Sequence, residues 1–136
     1  MLEKVDLEVE LPRANAAPGL ARRAMRRLCA DRIEGDLLAD AELLVSELTS
    51  NASLHGKGQT ITLRAWLDED RLLVEVVDDG SGFEHELRRK DFEQVGGWGL
   101  ELVEDVSSRW GVREGTTHVW FELELPGPRL GEPSIE

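Results

Sequence analysis

Residues 60–78, TITLRAWLDEDRLLVEVVD, read as two β-strands joined by a short acidic turn. Ile61, Leu63, Ala65 and Leu67 alternate with Thr60, Thr62, Arg64 and Trp66. After Asp68-Glu69-Asp70, Leu72, Val74 and Val76 alternate with Leu73, Glu75 and Val77. Successive side chains of a strand point to opposite faces, so this pattern predicts a hairpin with one apolar and one mixed face. A sheet covered on one side follows. The same parity reaches Asp78, which shares the face of Leu72, Val74 and Val76. A carboxylate is thereby aimed at the interior where the strand ends, and a buried ionised group needs a partner.

Outward from the hairpin, residues 4–11 alternate in the same way: Val5, Leu7, Val9 and Leu11 against Lys4, Asp6, Glu8 and Glu10. That predicts a half-buried strand ended by Pro12. Pro18-Gly19 opens a helix expected to run to about Ile33, with Ala21, Met25, Leu28 and Cys29 as its apolar stripe. Gly35 breaks it. A second helix is expected over 36–54, capped by Asp36, with Leu37, Ala41, Leu44, Val45, Leu48 and Ala52 facing inward and Gly56 and Gly58 closing the segment. The chain from 78 to 97 is polar and punctuated by glycine, long for a connection inside a small domain, and reads as a functional lid. A third helix is expected over 99–109, then strands 110–113 and 117–125 about a Glu114-Gly115 turn. The order strand, helix, helix, hairpin, lid, helix, hairpin predicts a two-layer α/β sandwich: a mixed, mainly antiparallel sheet with helices on one face. Residues 1–125 form the single expected domain, and 126–136, with three prolines, a loose tail.

Composition narrows the function classes. The chain has 136 residues; Lys+Arg is 16 and Asp+Glu 28, so the net charge is 16 − 28 = −12. An acidic chain is a poor general ligand for nucleic acid, whose phosphates favour a basic surface. Cys29 is the only cysteine, so no internal disulfide is possible. No apolar run approaches the roughly 20 residues that span a bilayer. The N-terminal MLEKVDLEVE is acidic and alternating, unlike a signal or transit peptide, and a cytoplasmic location is expected.

The chemistry-bearing residues are few. Glu47 and Asn51 are four apart, which places a carboxylate and an amide side by side on one helical face at the edge of the apolar stripe. A carboxylate there is a candidate proton acceptor, and an amide oxygen is a hard ligand suited to magnesium. On their own, such residues are common on solvated helices. For Asp78, the exocyclic amine of a purine is a fitting donor, and Gly80 and Gly82 leave room for a flat base; an Asp-Gly pair can equally be only a turn. Gly96, Gly97 and Gly99 precede a helix, where glycines permit close approach and free amides attract phosphate. Thr117 shares a face with Val119, Phe121 and Leu123 and points inward, as many core threonines do.

In chain order these are E47-x-x-x-N51-A52-x-x-H55, D78-x-G80-x-G82, a lid, G97-x-G99-L100 and G115-T-T117. The series resembles the GHKL ATPase superfamily with its Bergerat ATP-binding sandwich, from about residue 4 to 125. Glu47–Asn51 is similar to the N box, Asp78–Gly82 to the G1 box and Gly97–Leu100 to the G2 box. The stretches LLVSELTSNASLHG (43–56) and VVDDGSGF (76–83) bring the chain nearest to small stand-alone members similar to anti-sigma factor serine/threonine kinases. By this resemblance Asn51 coordinates Mg²⁺ on the phosphates of ATP, Asp78 binds the adenine amine and Thr117 supports that contact. Gly80 and Gly82 shape the base pocket, Gly97, Gly99 and the adjoining Leu100 belong to the phosphate-binding lid segment, and Glu47 is the general base.

There are departures. Where the family often has a basic residue before the second G2 glycine, this chain has Trp98. A lost phosphate donor there weakens binding or turnover, unless Arg88, Arg89 and Lys90 in the lid compensate. Trp98 either covers the base or packs on the core. None of His55, His85 and His118 sits on a helix preceding the ATP domain, so any phosphoacceptor is expected on another protein. Arg22, Arg23, Arg26 and Arg27 form a basic stripe, with Arg13 nearby, that is either a docking face for an acidic partner or a solvated surface. Trp66 and Trp120 fall on the outer face, where they line a dimer or partner surface or lie under the tail.

The resemblance implies a cytoplasmic ATP-dependent kinase, using ATP and Mg²⁺, that phosphorylates an anti-sigma factor antagonist and sequesters a sigma factor. It involves neither direct nucleic-acid binding nor a membrane, and leaves homodimerisation open. The alternatives are a non-catalytic ATP-binding switch or protein-binding module of the same fold, and an ATPase module detached from a larger sensor kinase.

Overall fold

The structure, a computed structural model, describes residues 4–55, 58–78, 100–112 and 119–126. In chain order the elements are β1 (Leu7–Pro12), α1 (Ala17–Cys29), α2 (Gly35–His55), β2 (Thr60–Leu67), β3 (Arg71–Asp78), α3 (Leu100–Val106), β4 (Arg109–Val112) and β5 (Val119–Glu124). The strands form one sheet in the order β1-β2-β3-β5-β4. All four described pairings are antiparallel, so the sheet is simpler than the mixed one expected.

Strand parity holds along the hairpin. Ile61, Leu63 and Ala65 of β2 and Leu72, Val74 and Val76 of β3 are buried, and Phe121 and Leu123 continue the same face on β5. Against this face pack Met25 and Cys29 of α1, Leu44, Val45 and Leu48 of α2 and Val103 of α3. The two layers are therefore helix on sheet. Burying each large apolar side chain contributes roughly 1.5–3 kcal/mol before entropy is subtracted. The hairpin turn is held by Asp68, whose Oδ1 accepts from the amides of Asp70 (2.8 Å) and Arg71 (2.9 Å).

Several boundaries differ from expectation, each for a tertiary reason. Pro12 closes β1 as its last residue, opposite Thr60 at the sheet edge, where its missing amide costs no ladder bond. α1 begins at Ala17, one residue before Pro18-Gly19, and ends at Cys29 instead of about Ile33. The amides of Arg32 and Ile33 both turn back to the Cys29 carbonyl, and Ile33 is buried from outside the helix. Gly35 adopts φ +64° and starts α2, a conformation glycine takes without strain. Asp36 is consequently in the first turn and not at the cap, where its charge still favours the helix dipole. α3 spans 100–106, not 99–109. Ser107 bonds back to Val103 through both amide and hydroxyl, and the Ser108 amide donates to the Glu122 carbonyl, which draws the chain into β4. β4 therefore begins at Arg109. Thr117 and the Glu114-Gly115 turn lie outside the described residues.

Half of the basic stripe of α1 is tied to α2. Arg22 donates to Ser46 Oγ (2.8 Å), and Arg26 makes two bonds to Glu42 (3.0 and 3.1 Å), tying α1 to α2. Arg26 holds the Glu42 carboxyl below the usual carboxylate range, chiefly through that hydrogen bond. Only Arg23 and Arg27 of the stripe project into solvent without such a role.

On the outer face Trp66 and Trp120 are half-buried. Trp120 lies over Gly111, where a Cβ would come 3.0 Å from the indole, so any side chain there would have to push the ring aside by a few tenths of an ångström. No described helix is long and apolar enough to cross a membrane.

Candidate functional site

Two buried polar side chains stand on elements that come together at one end of the sheet. α2 descends over the inner face to His55, and the chain enters β2 at Thr60. Asp78, the last residue of β3, is in register with Ile61, the second residue of β2. The last turn of α2 and the end of β3 therefore flank the same rim, and α2 packs directly on β3. Asn51 is 7% exposed on the first of these elements and Asp78 5% exposed on the second. The Oδ2 atom of Asp78 is sealed from solvent. Parity thus delivers a carboxylate into the inner layer as the alternation of 72–78 requires.

Glu47, one turn before Asn51, is half-buried at the border between the apolar stripe and solvent. Thr49 between them is fully buried, its hydroxyl donating to the Val45 carbonyl (2.7 Å) within the helix. This leaves the face of Glu47 and Asn51 as the polar edge of α2. An ionised carboxylate only accepts hydrogen bonds, so Asp78 is suited to a ligand that presents an N–H donor. The described residues hold no cluster of three or more His, Cys, Asp or Glu side chains able to cage a metal. Magnesium does not require one. It is commonly held by one or two protein oxygens with substrate phosphates and water completing the octahedron. The Asn51 amide oxygen fits that donor set.

The remaining expected site residues are placed as follows. Leu100 opens α3. Gly80, Gly82, Gly97, Gly99 and Thr117 lie outside the described residues, as do Trp98, Arg88, Arg89, Lys90, His85 and His118. His55 is the last residue of α2. Cys29 is fully buried and its thiol is pushed up to about 11 by that burial, so it offers no thiolate near neutral pH.

One residue that matters here was not singled out as part of the site. Arg13, immediately after β1, donates to the Ser53 carbonyl in the last turn of α2 (2.8 Å) and to the Gly58 carbonyl (2.6 Å). Its amide donates to Gln59 (2.9 Å), and Ser53 Oγ donates to the Ala14 carbonyl (3.1 Å). The only sequence signal was a cation following a strand-ending proline.

Comparison with known families gives one match over nearly the whole sheet and all described helices. The model of the histidine kinase-like ATPase domain aligns with residues 11–123. It begins in β1 and ends in β5, so it spans Glu47, Asn51 and Asp78 and the segments between them. A helical layer on a five-stranded antiparallel sheet is consistent with such a match. The chain belongs to the histidine kinase-like ATPase domain family, as an ATP-binding domain of the GHKL type.

Proposed function

We propose that this protein is an ATP-dependent serine/threonine kinase that acts in the cytoplasm on an anti-sigma factor antagonist and also sequesters a sigma factor. The observation that carries the nucleotide site is the burial of the Asp78 carboxylate at the end of β3 and of the Asn51 amide near the end of α2. The choice of protein substrate rests on the likeness of 43–56 and 76–83 to the small anti-sigma kinases.

On this reading Asp78 accepts a hydrogen bond from the adenine amine and fixes the base at the rim. Asn51 would hold Mg²⁺, and that ion, when bound, would supply positive charge to offset that on the transferred phosphoryl group. Glu47 takes the proton from the acceptor hydroxyl. The hydroxyl oxygen bonds to the γ-phosphorus, the bond from γ-phosphorus to the bridging oxygen breaks, and ADP leaves. The half-buried setting of Glu47 lets it reach a protein acceptor from outside while remaining beside the site.

The test is incubation with labelled ATP, Mg²⁺ and a candidate antagonist, followed by phosphoamino-acid analysis. Phosphoserine or phosphothreonine on the antagonist is the expected result. ATP binding without transfer would replace the kinase reading by a nucleotide-dependent switch, which the Trp98 departure favours. A phosphohistidine product would point instead to a detached sensor-kinase module.

A further inference from the structure

We infer that Arg13 is a positioning residue for the nucleotide site, acting on Asn51 through the backbone of the last turn of α2; this rests on the ATP reading above. The last four carbonyls of a helix have no partner within it, so a terminal turn frays unless something outside holds it. Asn51 stands at the start of that turn in α2. Arg13 supplies the missing donor at Ser53, two residues on, and a cation at a helix C-terminus is favoured by the dipole. With Nε it grips Gly58, which has φ +83°, so one planar guanidinium spans the exit from α2 and the approach to β2. Ser53 Oγ on Ala14 is a second stitch on the same seam.

The two sides of the site depend on this clamp unequally. Asp78 is held by ladder pairing: it is in register with Ile61 of β2, β3 is paired with β5 as far as Val76, and β2 is itself flanked by β1. That framework survives without Arg13. The end of α2 is tied to the segment after β1 by one bond from the Arg13 guanidinium to the Ser53 carbonyl and one from Ser53 Oγ to the Ala14 carbonyl. Loss of Arg13 should therefore displace Asn51 and leave Asp78 in place.

The experiment compares wild type, Arg13→Met and Arg13→Lys by calorimetry with adenosine and with ATP, the latter over a range of Mg²⁺ concentrations. Adenosine probes the Asp78 side alone; ATP with Mg²⁺ probes both. Arg13→Met should weaken ATP binding about tenfold and raise the Mg²⁺ midpoint by a similar factor, the scale seen when supporting groups around a ligand are removed, with adenosine affinity changed by less than about twofold. Arg13→Lys keeps the charge and loses the fork, and should retain most of the defect. The ratio of ATP to adenosine affinity does not depend on the fraction of protein folded, so a destabilised variant still reports. Equal losses for both ligands, unchanged ATP binding, or full restoration by lysine would each overturn the positioning role. If wild type binds neither ligand, the nucleotide reading itself falls and the inference falls with it.

Discussion

Among the described residues, each face of the sheet buries one carboxylate, and the two are treated differently. Glu122 on the outer face of β5 is 7% exposed, and Asp78 on the inner face of β3 is 5% exposed. Glu122 lies 2.6 Å from Arg109 and 3.7 Å from Arg71, on the strands to either side. Farther along that face Arg64 bridges Glu8 and Glu75 in the same way. Asp78 has the apolar Ile61 as its register partner and lies at the strand end, beside the close of α2. Burial alone does not distinguish a site from a structural ion pair. The surroundings do: cross-strand cations make Glu122 part of the sheet, whereas a rim position in the inner layer makes Asp78 a candidate ligand contact.

A third carboxylate sets the upper end of the scale. Glu47→Ala should lower phosphoryl transfer by about 10²- to 10⁴-fold while ATP affinity, measured by calorimetry, stays near that of wild type. Loss of both together would remove Glu47 from the role of base. Asp78→Asn keeps shape and turns an acceptor-only group into an amide. ATP affinity should fall by up to about 3 kcal/mol, the range for a hydrogen bond to a charged group, with no loss of thermal stability. Glu122→Gln should do the reverse: a stability loss of about 1–2 kcal/mol in denaturant unfolding, discounted because both arginines are more than half exposed, and unchanged ATP affinity. If the two variants exchange phenotypes, the contrast between the faces is wrong.

The smallest effect is expected at the helix seam. The Glu42 carboxyl is depressed in the folded protein by its bond to Arg26, so it binds protons less readily folded than unfolded. Its stabilisation is present above the unfolded value, about 4.3, and is lost as pH falls through the lower folded value. Glu42→Gln should be slightly less stable than wild type at neutral pH, and the two unfolding curves should converge in acid. A difference that persists unchanged at low pH would mean that Arg26 and Glu42 contribute through packing and not charge.

Much of this was legible from neighbouring residues. Alternation along 60–78 specified the face of Asp78 because pleat parity is a local property, independent of what packs on it. The spacing of Glu47 and Asn51 placed both on one edge of α2 for the same reason. The roles of the arginines were not legible. Arg22 and Arg26 read as a solvent or docking stripe, yet two of the four meet α2, since a helix pattern does not state which neighbour its polar edge touches. Arg13 was further out of reach, with partners 40 and 45 residues along the chain.

What the amino-acid order determined by itself was the type of the described elements and the buried face of the described strands. These follow from periods of two and 3.6, which need only the backbone. What the tertiary structure alone decided was where helices stop, which charges pair across the outer face, and that Arg13 ties the segment after β1 to the last turn of α2. Those outcomes depend on hydrogen bonds and ion pairs between segments far apart in sequence, which exist only once the chain has closed on itself.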